Sequence, residues 1–173
     1  MTLVCSAALQ ADDTLKWTDE KGKEIPESPY QRSTKGFGGM LLITSDENWE
    51  DKWATPSSNI PVFTQANSVK KGEELYILVL YTNPKQSESY GINIGCDIRV
   101  VRPDGSISID AADLDCATGR ILGDLYALRM TNLSIKYIAE TKDLPGTWTV
   151  NVNVKDRLRD ATVELTSNFD VLD

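Results

Sequence analysis

Thr147-Trp148-Thr149-Val150-Asn151-Val152-Asn153-Val154 carries a strict two-residue rhythm. Trp148, Val150, Val152 and Val154 fall on one face of an extended chain, and Thr147, Thr149, Asn151 and Asn153 on the other, which is what a half-buried antiparallel strand requires. Pro145-Gly146 launches the stretch, and the charged turn Lys155-Asp156-Arg157-Leu158-Arg159-Asp160 ends it. From Ala161 the alternation resumes, with Val163, Leu165, Ser167, Phe169 and Val171 sharing a face. Two consecutive strands closing a chain predict two-layer β architecture.

Working back from that end, the same grammar repeats. Glu74 to Thr82 is the longest apolar run, launched by Lys71-Gly72 and stopped by Asn83-Pro84. Both of its faces are apolar, which suits a central strand or one covered by the N-terminal arm of the chain. Gly91 to Val101, Ser106 to Ile109, Ile121 to Leu128 and Leu133 to Glu140 read as further strands, and Gly36 to Thr44 as the first. Asp46 to Trp53 reads as a short helix. Thr44 and Glu47 have capping-box spacing, acids crowd the first turn, and Pro56 limits extension. With turn signals every 8–15 residues, the pattern predicts an all-β antiparallel β-sandwich with a short helical insertion at residues 46–53. Inward positions are expected to include Leu42, Leu75, Ile77, Val79, Ile98, Val100, Trp148, Val150, Val152 and Phe169.

The 173 residues suit one domain, residues 36–173, preceded by an extended polar arm over 12–35 anchored by Trp17 and Tyr30, with a weak hairpin around Asp19 to Lys23. Met1 to Ala11 is apolar, uncharged and ends in small residues, so it reads as the latter part of a truncated signal peptide; a frayed cytoplasmic N-terminus is the alternative. No stretch approaches the length of a membrane span. Removing the signal leaves two cysteines. Cys96 opens one strand, Arg102-Pro103-Asp104-Gly105 reverses the chain, and the returning strand runs toward Cys116. A Cys96–Cys116 disulfide is therefore expected in a periplasmic or secreted protein, against the alternative of two buried thiols.

Composition narrows function mainly by exclusion. The net charge of −8 disfavours nucleic acid and anionic lipid as partners. With no histidine, Ser-His-Asp and Cys-His nucleophile systems and imidazole metal sites are absent. Three constellations could still act. Asp110, Asp113 and Asp115, read as a loop, are hard oxygen ligands for calcium or else solvated acids; no other cofactor is expected. Trp49 and Trp53, four apart on the helix, form a sugar-stacking platform or else cap the sandwich as buried indoles. A carboxylate pair for glycoside hydrolysis would need two acids across a cleft, and nothing among 26 acids singles a pair out. Asn132-Leu133-Ser134 matches the glycosylation acceptor pattern.

Asp143 to Asp156, with its Pro-Gly-Thr-Trp opening, alternating Thr and Val, and closing Asp, resembles the penultimate strand of bacterial immunoglobulin-like modules. Leu165 to Val171 is similar to their final strand. At pattern level the likeness covers residues 73–172. Gly36 to Phe63, with its Asp-x-x-Trp-x-x-x-Trp segment, together with Cys96-Asp97 and Arg102 to Gly105, resembles a group of exported proteobacterial proteins with no assigned activity. That resemblance implies an envelope location. The expected function is a non-catalytic interaction or structural module, with a protein partner in the envelope or self-association; a carbohydrate- or ligand-binding module, assisted by calcium, is the alternative.

Overall fold

The computed structural model describes residues 15–18, 22–54 and 62–173, so the signal-peptide reading of residues 1–11 lies outside the described residues. In chain order the elements are β1 (Gln31–Thr34), β2 (Phe37–Thr44), α1 (Trp49–Trp53), β3 (Ser68–Lys70), β4 (Glu74–Thr82), β5 (Gly91–Val101), β6 (Ile107–Arg120), β7 (Arg129–Ile138), β8 (Gly146–Asp156) and β9 (Ala161–Leu172). They form a four-stranded sheet, β1-β2-β4-β7, packed on a five-stranded sheet, β3-β9-β8-β5-β6. Every pairing is antiparallel except the short β3–β9 ladder. The chain is an immunoglobulin-like β-sandwich with a short helical insertion.

The alternation in β8 is realised fully: Trp148, Val150, Val152 and Val154 are all buried, facing Leu75, Ile77 and Val79 of β4 through one continuous core. Tyr137, Trp148 and Phe169 form an aromatic cluster at one end of that core, with ring centroids 4.9–6.1 Å apart. The Trp148 indole N–H donates to the Leu144 carbonyl at 3.0 Å, so the buried ring leaves no unsatisfied donor. Burial first, then donation of its hydroxyl to Asp143, raises the pKa of Tyr137.

In β2 the inward set is Phe37, Leu41 and Ile43, whereas Leu42 is half-buried on the opposite face beside Leu78. The parity is set by two adjacent glycines. A side chain on Gly39 would meet Val163 and Leu165 of β9 at 3.1–3.3 Å, so Gly39 faces the core. Gly38, on the other face, lies under Leu15 and Trp17, and a side chain there would collide with both. Leu15 and Trp17 thus cover the outer face of the four-stranded sheet at Gly38, on the side where the buried Leu78 and Leu80 of β4 lie, in keeping with the doubly apolar β4. Thr18 bridges Glu24 within the arm, and Gln31–Thr34, near its end, become β1.

Three further expectations are corrected. Residues 121–128 are a loop, not a strand, because Gly123-Asp124 breaks the pattern and the loop's carbonyls are taken by Thr82, Asn83, Gln86 and Arg129 rather than by a ladder. The segment 110–115 is not a loop but the middle of the 14-residue strand β6. No capping box forms at α1: Asn48 precedes the helix without a side-chain cap bond, while Thr44 lies in β2 with its hydroxyl donating to the Thr64 carbonyl. Asp46 anchors this region instead. Its carboxylate accepts from the Thr64 amide and pairs with Lys52, both at 2.8 Å.

Candidate functional site

Two regions stand out: one end of the sandwich, and the outer face of the five-stranded sheet. The end is built from the turns around residues 35–36, 83–90, 121–128 and 156–160. It is knotted by Asp156, fully buried, whose carboxylate accepts from the amides of Lys85, Leu158 and Arg159 and from the Arg159 guanidinium. Arg159, itself nearly buried, donates onward to the carbonyls of Lys35 and Asn83, and the Asn83 amide reaches the Gly36 carbonyl. One buried ion pair therefore fixes three turns from both sheets.

The 121–128 loop is fastened onto this knot. Asn83 donates its backbone N–H to the Leu125 carbonyl, Thr82 its hydroxyl to Tyr126 O, and Gln86 its amide to Ile121 O. Arg129 spans the loop from below, donating to the carbonyls of Asp124 and Ala127 at 2.7 Å each, and the Tyr126 amide is held by the Asp124 side chain. The loop so held presents large apolar side chains outward: Leu122 is 83% exposed and Tyr126 53%, with Tyr90 at 57% on the adjoining turn. A backbone bond from Ile121 to Tyr90 joins the two segments.

On the sheet face, outward residues of β6, β5, β8 and β9 line up in cross-strand rows. One runs Asp110–Arg99–Asn151–Thr166, and the next runs Asp97–Asn153–Glu164. Arg99 pairs with Asp110 at 2.9 Å, Lys155 with Asp97 at 2.6 Å, and Asn153 donates to Asp97 at 3.3 Å. The Asp97 carboxyl pKa is lowered: partial burial raises it, and the Asp113 N–H, Lys155 and Asn153 outweigh that. Opposite Asp97 the register shifts, so that Ala112 and Asp113 together face one residue of β5. Asp113 has φ +56° and sends its N–H to Asp97. The bulge leaves a groove of about 380 Å³ lined by Asp97, Arg99, Asp110, Ala112, Asn151 and Asn153.

The residues expected from sequence are distributed as follows. Cys96 and Cys116 form a disulfide, both wholly buried between β5 and β6. Asp113 and Asp115 are joined by the Arg157 guanidinium, at 2.8 and 2.7 Å, while Asp110 turns to Arg99. A cation already lies between the two acids, and among the described residues no group of three or more acids or cysteines is placed to hold a metal ion. Trp49 and Trp53 are half-buried, and the Trp49 ring neighbours Tyr76 at 6.4 Å on the outer face of the four-stranded sheet. Sequence reasoning missed the exposed loop and the sheet-face rows. The loop's apolar run passed for a strand, and the alternating Asn and Asp for ordinary solvated faces.

No family model matches the chain, and no curated protein sequence matches it. Solved structures with a similar course include a family 123 glycoside hydrolase from Clostridium perfringens, 11% identical over 78% of this chain and 27% of that one, TM-score 0.43. A CARDB domain from Pyrococcus furiosus, solved in complex with di-metal ions, is 11% identical over 78% of this chain and 89% of its own, TM-score 0.39. A β-glucosidase from Listeria innocua is 14% identical over 87% of this chain and 16% of its own, TM-score 0.32. The chain thus spans about a quarter of that glycoside hydrolase and most of the CARDB domain. The likeness is one of β architecture.

Proposed function

We propose that the chain is a non-catalytic, exported interaction module of the bacterial cell envelope that holds a protein partner at the end formed by residues 83–90 and 121–128. The observation that carries this reading is the rigid display of Leu122, Tyr126 and Tyr90. Leu122 and Tyr126 on one loop and Tyr90 on the turn bonded to it are exposed together on a backbone fastened at five carbonyls. It is grouped rather than single exposed apolar side chains that mark an interaction surface. Protruding aromatic and aliphatic anchors on a preorganised loop lose little entropy on binding, which is how such surfaces gain affinity. Edge-strand addition is less favoured at β6, whose pairing with β5 is broken by three register shifts and whose outward positions carry acids. Export is supported by the buried disulfide, which persists in oxidising compartments. The non-catalytic reading rests on the absence of histidine and on the pairing of Asp97, Asp110, Asp113, Asp115 and Asp156 with cations.

Photo-crosslinking in the native host tests this, with a benzophenone amino acid in place of Tyr126 and, as control, of the exposed Asn132 on β7. A discrete adduct from position 126, absent from position 132 and lost on Leu122→Ser, is expected. No adduct, or the same adduct from both positions, would overturn the reading.

A further inference from the structure

The groove on the five-stranded sheet is separate from the loop end, and its chemistry selects a different kind of ligand. Its charges are paired: Arg99 with Asp110 inside the lining, and Asp97 with Lys155 just outside it. A lining whose charges are paired offers little net attraction to an anion or a metal ion. Its exposed surface, mostly apolar, suits the C–H face of a neutral ligand whose hydroxyls reach the polar groups left free by those pairs. Asn151 and Asn153 add two planar amides on neighbouring rows. Strands lie about 4.8 Å apart, so planar carboxylate, guanidinium and amide groups stand side by side at spacings that a ring of vicinal hydroxyls can bridge. The small Ala112, brought opposite Asp97 by the β6 bulge, supplies the missing volume, and bulges are a recurrent means of shaping a site on a sheet. At about 380 Å³ the groove lies within the range of small-molecule clefts, about 300–1,000 Å³.

We infer that this groove binds a neutral mono- or disaccharide, whose hydroxyls are taken by Asp97, Arg99, Asp110, Asn151 and Asn153. The site does not depend on the loop-end surface, and it differs from an aromatic stacking platform because its recognition is by hydrogen bonds at the sheet face.

The test is a two-dimensional amide NMR titration of the full chain with maltose, cellobiose, lactose and diacetylchitobiose in turn. Saturable shifts are expected with at least one of them, centred on Arg99, Ala112 and the side-chain amides of Asn151 and Asn153. Asn151→Ala should weaken that binding at least tenfold. Ala112→Phe, an exposed position whose new ring fills the groove, should abolish it while the spectrum stays dispersed. Leu122→Ser should leave it unchanged, so that failure here and failure at the loop end are told apart. Absence of saturable shifts with all four sugars, shifts that persist in Ala112→Phe, or shifts centred on Trp49 and Trp53 would each overturn the proposal.

Discussion

At the scale of single residues, the greatest leverage lies in the polar pair Asp156–Arg159. Both are buried, and between them they satisfy amides or carbonyls of Lys35, Asn83, Lys85, Leu158 and Arg159. Removing one partner strands the other charge away from water, at a cost of about 3–5 kcal/mol for a buried pair. Asp156→Ala should therefore lower stability by an amount in that range in urea unfolding. A companion Lys155→Ala, at a half-buried partner of Asp97, should cost clearly less, about 1 kcal/mol. Equal losses for the two would show that the knot is not what joins the sheets. Gly38 and Gly39 act at this scale too, since one admits the arm and the other admits β9. Their role could not be read from spacing, because a Gly-Gly pair in a strand pattern names no neighbour.

Among elements, α1 shows how a tertiary anchor replaces a local one. Five residues without a side-chain cap cannot sustain a helix alone. Asp46 holds the segment through Lys52 and Thr64, and its carboxyl sits at about 2 rather than the usual 3.8, because those partners and Thr44 outweigh the opposing effect of partial burial. A carboxyl whose folded pKa is depressed adds stability above its unfolded pKa and loses it as pH falls toward the folded value. The α1 region should therefore loosen between about pH 4 and about pH 2. Fluorescence of Trp49 and Trp53 should report a transition in that window that Asp46→Asn removes. A pH profile identical in the two proteins would refute the anchor. The β6 strand makes a similar point. Its Asp-rich centre resembles a loop in composition, yet Arg99 and Arg157 from outside the strand pair with those acids and the chain stays extended.

Across the whole molecule, the disulfide ties the long edge strand β6 to β5 beneath that acidic surface. The bridge closes a separation of 20 residues, worth about 3 kcal/mol by restriction of the unfolded chain. Cys96→Ser with Cys116→Ser should shift the urea midpoint of the oxidised protein accordingly, and reductant should move the wild type to the same place. An unchanged midpoint would show that β6 is held by its ladder and ion pairs alone. The sequence by itself determined the sandwich class, the boundaries of β4 and β5, the inward faces of β8 and β9 and the cysteine pairing. These follow from side-chain alternation and local turns, which act over a few residues. Tertiary structure alone decided the parity of β2, the strand character of residues 110–115, the loop at 121–128 and the groove beside Ala112. In each of these the deciding partner lies far along the chain: Val163 against Gly39, Arg157 against Asp113, Asn83 against Leu125, Asp97 against the bulge. Periodicity reports which residues avoid water, but only the folded neighbours determine which polar and apolar groups are left facing it.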